Sequence, residues 1–81
     1  MSVEEIFKVM RGLVAEEFVT DADNITMETS FEDDLGANSV DLVELAMAME
    51  ERFEIEEVAE DELGGIKTVG DAVRFLASRL K

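Results

Sequence analysis

Few side chains in this chain could do chemistry, because its 81 residues include no His and no Cys. Their absence excludes a Ser-His-Asp triad, a cysteine nucleophile, an imidazole or thiolate metal site and a disulfide. Hydroxyls, amides, carboxylates and seven Lys or Arg residues remain. The hydroxyl in the most distinctive position is that of Ser39, which follows the good helix N-cap residue Asn38 at the head of a strongly periodic run.

A group esterified to Ser39 would lie at the N-terminus of the helix predicted there. The first backbone N–H groups of a helix have no partner within it, and the helix dipole is positive at that end, so a phosphate on the serine oxygen is favoured. A serine in this position usually only caps the helix. The flanking residues must therefore decide whether Ser39 has a chemical role.

The chain is strongly acidic, with 21 Asp and Glu residues and a formal net charge of −14. Between residues 12 and 66 there are 18 acidic residues and one basic residue, Arg52. Such a surface repels nucleic acids and anionic membranes and attracts basic protein patches. The longest apolar run, Leu45–Met49, is far shorter than the roughly 20 residues that cross a bilayer. We therefore expect a cytoplasmic protein with protein partners, no nucleic-acid partner and no membrane span.

Helices must position the serine. Helical spacing of apolar residues and capping residues predict helices at Ser2–Phe18, Ser39–Phe53 and Val69–Leu80, with one short turn near Glu60–Leu63 and a flexible break at Gly64-Gly65. No alternating pattern suggests a strand. We therefore predict an all-α fold, a small four-helix bundle with three main helices and one short helix, in a single domain spanning residues 1–81.

Two further features complete the predicted fold. Residues 19–37 lack helical periodicity and contain isolated apolar anchors, which indicates a long ordered loop between the first two helices. At the other end of the chain, Arg74, Arg79 and Lys81 are placed to complement the negative C-terminal end of the last helix.

The helix predicted at Ser39–Phe53 has two apolar faces. One arc, about 100° wide, has the width of a core-facing stripe, and its members are Leu42, Leu45, Ala46, Met49 and Phe53. A second apolar strip lies on a different arc and comprises Val40, Val43 and Met47. Acidic residues border this strip: Asp41, Glu44, Glu50, Glu51 and Glu54. An apolar strip with a charged rim is typical of a helical recognition surface, although isolated surface hydrophobes are common.

The residues around Ser39 resemble the signature of the acyl carrier proteins, in which D-L-G-A-D-S-L leads into an acidic helix. The run Asp34-Leu35-Gly36-Ala37-Asn38-Ser39-Val40 and the acidic stretch behind it match this pattern. The similarity continues through Met47–Phe53 and Ile66–Val73, so it covers nearly the whole chain.

The resemblance implies a carrier that is not itself an enzyme. Ser39 would receive 4′-phosphopantetheine from coenzyme A through a phosphopantetheinyl transferase (holo acyl carrier protein synthase), and the new thiol would hold acyl chains as thioesters for fatty-acid or polyketide synthesis. A chain without cysteine has no thiol of its own to compete for the acyl groups. We expect a monomer with no specific metal site.

The resemblance also implies which surfaces are used. Basic patches of ketosynthases, reductases, a dehydratase and acyltransferases would dock on one helix face, for which the matching residues are Val40, Asp41, Glu44, Met47, Glu50 and Glu51. In the family, acyl chains can lie between the helices. The small or pliable candidates to line such a pocket are Ala46, Met49 and Ala72.

Three departures from the family pattern are present. Asn38 stands where the family usually has Asp, which keeps the cap but removes a charge associated with metal and transferase interaction. Val40 replaces the usual Leu and reduces the apolar contact beside the arm. The segment after Phe53 has no proline and is one residue longer, which leaves the start of the short helix open. These changes are compatible with a specialised carrier.

Other interpretations remain open at this point. Asp21, Asp23 and Glu32 occupy positions 1, 3 and 12 of a calcium-binding loop, but Ile25 and Thr26 stand where an oxygen ligand and a Gly are needed. Loose binding of divalent cations to the acidic surface fits the sequence better than such a loop. A peptidyl or D-alanyl carrier would use the same serine arm for aminoacyl groups. An acidic adaptor would use the same helix without modification.

Overall fold

The predicted helical architecture is confirmed. The computed structural model describes residues 1–80, and within that range the chain forms four α-helices and no strand. They are α1 (Val3–Glu17), α2 (Ser39–Phe53), α3 (Glu60–Gly64) and α4 (Val69–Arg79). Lys81, expected to complement the end of α4, lies outside the described residues. Gly64 ends α3 instead of forming part of a break, so only Gly65 lies beyond that helix.

Capping boxes start each of the three long helices. In α1 the Ser2 hydroxyl accepts a hydrogen bond from the Glu5 amide (3.2 Å), and in α4 the Thr68 hydroxyl accepts one from the Asp71 amide (3.1 Å). In return the N3 carboxylate accepts a bond from the backbone amide of the cap residue. These reciprocal bonds satisfy amides that have no partner inside the helix, which explains why the predicted helix starts are accurate.

Helices α1 and α2 stop without glycine. Val19 (φ 49°) and Glu54 (φ 52°) adopt the left-handed conformation that ends a helix. The following amides close each helix, because Thr20 N–H donates to the Ala15 carbonyl (3.0 Å) and Ile55 N–H donates to that of Glu50 (3.2 Å). A β-branched residue in this conformation is strained, so the end of α1 stores some energy.

The core lies where α1, α2 and α4 meet. Its fully buried side chains include Ile6, Met10 and Val14 from α1, and Val73 and Leu76 from α4. The α2 residues predicted for the core are buried, except Leu42, which is half-buried at its edge. None of the helices in the described part of the chain has the length and apolar character needed to cross a membrane.

The long loop between α1 and α2 is fastened to the start of α4. Phe31 N–H donates to the Lys67 carbonyl (3.0 Å), and Gly70 N–H donates to the Met27 carbonyl (2.8 Å). Ile25 and Phe31 are buried in the core, as expected for anchors, and a 3₁₀ turn at Ala22–Asn24 shortens the path. The loop therefore approaches α2 from a fixed direction.

Candidate functional site

Ser39 is the first residue of α2, and its side chain is exposed. The residue before it, Asn38, caps the helix: its Oδ1 accepts a hydrogen bond from the Asp41 amide (2.9 Å), and its own amide donates to Asp41 Oδ2 (3.1 Å). Asn therefore fulfils the capping role that Asp has in the family pattern. The box holds the hydroxyl of Ser39 at the positive end of a 15-residue helix.

The four residues before Asn38 set the path of the backbone into α2. Asp34 Oδ2 accepts a hydrogen bond from the Ser30 amide (2.7 Å) and closes a turn. Gly36 has φ +63°, in the left-handed region that side chains disfavour. Ala37 is buried, and its amide donates to the Phe31 carbonyl (2.8 Å). The sequence Asp34–Ala37 thus has a conformational role that places Ser39 at the surface.

The second apolar strip on α2 is exposed, as its angular position predicts. Val40 is 62% exposed and Met47 is 59% exposed, and Val43 is exposed between them. On the opposite side of the same helix, Leu45 and Met49 are almost completely buried. One helix therefore contributes both to the core and to an apolar surface beside Ser39.

Acidic side chains next to this strip generate a negative potential that reaches α1. Burial raises the pKa of Glu17, and the nearby charges of Glu44 and Asp41 raise it further. Glu44 and Glu51 are themselves exposed. The Asp41 carboxylate, by contrast, is partly engaged by the capping box. The four carboxylates proposed for docking are therefore not equivalent.

Glu50 differs most from the expectation for a docking residue. Its side chain is half-buried, and its Oε2 accepts a hydrogen bond from the backbone amide of Val58 (2.9 Å). Sequence reasoning missed this contact, because Val58 lies eight residues further along in a segment without periodicity. The bond joins α2 to the segment that leads into α3.

Two cavities flank α3. The larger, of about 420 Å³, is lined mainly by α2 and the segment around α3: Val43, Ala46, Met47, Glu50, Glu57, Val58, Ala59, Glu60 and Leu63. The smaller, of about 190 Å³, is lined by Phe31, Glu32, Leu42, Leu63, Gly64, Ile66 and Lys67. Leu42 and Val43 follow Ser39 by three and four residues, so they lie on the same side of α2 as the serine. Both cavities therefore begin about one helical turn from Ser39.

The acyl-pocket candidates separate into two groups. Ala46 lines the larger cavity. Met49 and Ala72 are closed inside the core, with at most 1% exposure, and line neither cavity. Leu63, which the sequence analysis did not select, lines both cavities. Its position in a short helix gave no periodic signal that could have identified it.

Of the acidic residues considered for calcium binding, Asp21 has a local structural role. Asp21 Oδ1 accepts a hydrogen bond from the Asp23 amide (3.0 Å) and caps the 3₁₀ turn. Within residues 1–80, no group of three or more acidic side chains is arranged to hold a metal ion.

Comparison with known proteins agrees with this geometry. The family model described as "phosphopantetheine attachment site" matches residues 8–76. The acyl carrier protein of Lactobacillus acidophilus is 47% identical over 78 residues, which are 96% of each chain. The solved structure of the acyl carrier protein from Enterococcus faecalis superimposes with a TM-score of 0.80 at 29% identity, covering 98% of this chain and 99% of that one. This chain therefore belongs to the phosphopantetheine attachment family and, within it, to the acyl carrier proteins, which are carriers of acyl intermediates and not catalysts.

Proposed function

We propose that Ser39 is the residue to which 4′-phosphopantetheine is attached, and that residues 1–81 act as one carrier domain for fatty-acid synthesis. The observation that carries this proposal is the exposed hydroxyl at the first position of α2, behind a reciprocal cap. When bound, the group supplies the thiol that this cysteine-free chain lacks. The chain's part is to hold the attachment oxygen at the surface, next to two cavities.

The other three serines support this assignment, because the hydroxyl of each is engaged within the protein. Ser2 Oγ accepts a bond from the Glu5 amide, and Ser30 Oγ accepts one from the Asp33 amide (3.0 Å). Ser78 Oγ donates to the Phe75 carbonyl (2.8 Å). Ser2 also stands at the head of a long helix, but there its hydroxyl is the cap. Ser39 is the first residue inside α2, where Asn38 supplies the cap and a phosphodiester is favoured.

The docking surface in this proposal is the exposed strip of α2 with its acidic border. Val40 and Met47 would supply apolar contact, while Asp41, Glu44 and Glu51 would attract basic residues of a partner. Such partners would be the phosphopantetheinyl transferase that uses coenzyme A and the enzymes that act on the acyl chain: ketosynthases, reductases, a dehydratase and acyltransferases. The net charge of −14 favours a monomer, and we place its work in the cytoplasm.

An acyl chain on the arm would enter the larger cavity first. Val43, Ala46 and Leu63 give it apolar walls within reach of Ser39. Met49 and Ala72 lie deeper, so a chain would contact them only after the helices separate. Of the three candidates, Ala46 is therefore the one that we expect an acyl chain to contact first.

Loading with a phosphopantetheinyl transferase tests the attachment site. The protein, Ser39→Ala and Ser78→Ala are incubated with coenzyme A, magnesium and the transferase, and their intact masses are measured. We expect the parent and Ser78→Ala each to gain one phosphopantetheinyl group, and Ser39→Ala to keep its mass. A gain on Ser39→Ala, or no gain on the parent, would refute the assignment, and the second result is what an unmodified adaptor would give.

A further inference from the structure

The carboxylate of Glu50 is engaged within the protein and is not free to bind a partner. It is half-buried on α2, and its Oε2 lies 2.9 Å from the amide nitrogen of Val58. Both residues line the larger cavity. We infer that Glu50 is a positioning residue that closes this cavity by holding the Val58 segment against α2. The inference rests on the proposed function, because it concerns the shelter of an acyl chain attached at Ser39.

The segment that Glu50 holds has few other fixed points. Ile55 N–H bonds back to the Glu50 carbonyl, where α2 ends, and Ala59 N–H bonds forward to Glu62 Oε1 (3.0 Å), where α3 begins. Between them, the Val58 amide is fastened to the body of the protein by the Glu50 carboxylate. Val58 is only 8% exposed. A backbone amide at a buried residue is costly to leave without a hydrogen-bond partner. The hydrogen bond between Val58 and Glu50, called the tie below, therefore determines where this wall of the cavity lies.

Neighbouring carboxylates provide the contrast. Glu51 is the next residue on the helix, is exposed, and borders the apolar strip. Glu50 lines the cavity, and one of its carboxylate oxygens accepts a hydrogen bond from a backbone amide. Two adjacent residues with the same side chain therefore have different roles. Glu51 is available to a partner, whereas Glu50 binds the protein's own loop.

Hydrogen exchange on the unmodified protein tests the tie directly. The exchange rate of the Val58 amide is compared in the parent, Glu50→Ala, Glu50→Gln and the matched control Glu51→Ala. A hydrogen bond to a charged group is strong enough that its loss in Glu50→Ala should speed exchange roughly tenfold. Glu50→Gln keeps a carbonyl oxygen that can accept the same bond, so it and Glu51→Ala should stay close to the parent.

Thioester protection tests the consequence for the cavity. The same four proteins are loaded with an octanoyl or an acetyl group, and hydroxylamine is added, which attacks the thioester carbon to give a hydroxamate and the free thiol. We expect Glu50→Ala to lose the octanoyl group several-fold faster than the parent, by the same loss of local protection. The acetyl group, too short to lie in the cavity, should be cleaved at one rate in all four proteins.

The outcomes separate this inference from the proposed function. Equal exchange in Glu50→Ala and Glu51→Ala, or equal octanoyl cleavage in these two variants, would overturn the role of Glu50. Glu50→Gln behaving like Glu50→Ala would overturn it as well, because charge and not the bond would then matter. A parent protein that cannot be loaded would refute the proposed function, while the exchange experiment would still report on the tie.

Discussion

Helices α3 and α4 follow each other in the chain, yet different forces hold them. Helix α4 buries Val69, Ala72, Val73 and Leu76, so the hydrophobic effect fixes it. Helix α3 has five residues and none of them is buried. It is held by the half-buried Leu63, which packs against the edge of the core, and by polar contacts, among them the ion pair between Glu62 and Arg79. We conclude that α4 belongs to the scaffold, whereas α3, which lines the larger cavity through Glu60 and Leu63, is an adjustable wall.

The contrast has a thermodynamic meaning. Buried apolar contacts exist only in the folded state as a whole, so α4 should open only when the protein unfolds. Exposed polar contacts are each worth little, so α3 should open at a small cost while the rest stays folded. A carrier that must both shelter an acyl chain and release it needs a wall of the second kind.

The largest effect should come from truncating the buried face of α4. Leu76→Ala removes a fully buried side chain and should lower the free energy of unfolding by about 2–5 kcal/mol. Leu63→Ala in α3 removes a half-buried side chain and should cost about 1 kcal/mol or less. Urea denaturation followed by circular dichroism measures both. Equal losses would break the comparison, because α3 would then be as much a part of the core as α4.

A glycine in each helix offers a second matched pair. A Cβ on Gly70 would lie 2.8 Å from the Met27 carbonyl oxygen, whereas a Cβ on Gly64 would meet nothing within 4 Å. Gly70→Ala should therefore destabilise the protein by about 1–3 kcal/mol. Gly64→Ala should be neutral or stabilise it by up to about 1 kcal/mol. Thermal midpoints give the comparison, and a loss in Gly64→Ala as large as that in Gly70→Ala would argue against it.

The start of α4 should also show a smaller, pH-dependent contribution. The Arg74 side chain lowers the pKa of Asp71 below its usual 3.8, and hydrogen bonds from the amides of Lys67 and Thr68 lower it further. Because the pKa is depressed in the folded state, the stabilisation is present at neutral pH and is lost as the pH falls from about 4 through the folded-state value.

Replacing Asp71 isolates this contribution. Asp71→Asn should cost up to about 1 kcal/mol at pH 7. The difference from the parent should shrink when the two thermal midpoints are compared at successively lower pH below 4. A cost that stays constant down to pH 2 would show that the charge of Asp71 is irrelevant to α4.

The smallest change in global stability should come from breaking the ion pair of α3. Glu62→Gln removes the charge that faces Arg79 but keeps an oxygen for the Ala59 amide. We expect the free energy of unfolding to change by less than about 1 kcal/mol, while the amides of α3 exchange faster. Glu60→Gln, an exposed change in the same helix, is the control. A loss of several kcal/mol in the free energy of unfolding of Glu62→Gln would contradict this expectation. It would show that α3 contributes to the stability of the whole fold, as α4 does.

The sequence predicted some of these features better than others. Helix starts followed from local bonds between residues three apart, as at Asn38 and Asp41, so they could be read directly. The helix ends near Phe18 and at Phe53 followed from the loss of periodicity. The left-handed conformation of Val19 and Glu54 did not, because a non-glycine residue in that conformation leaves no compositional mark. The exposure of the strip from Val40 to Met47 followed from angular spacing alone.

The cavity side was the least predictable part. The contact of Glu50 with Val58 crosses a segment without periodicity, so nothing in the spacing distinguished it from an exposed acid. Met49 has the spacing of a core residue and is one, and only packing reveals that Ala46 is the candidate that reaches a cavity. A contact made by a non-helical segment that folds back on a helix depends on the whole fold, so local spacing does not predict it.

Locating the adduct on the loaded protein tests whether Ser39 carries the prosthetic arm. Proteolysis followed by fragmentation of the modified peptide assigns the added mass to a single residue. We expect the whole mass of one phosphopantetheinyl group to lie on Ser39, and Ser2, Ser30 and Ser78 to be unmodified. An adduct on any other residue would contradict it.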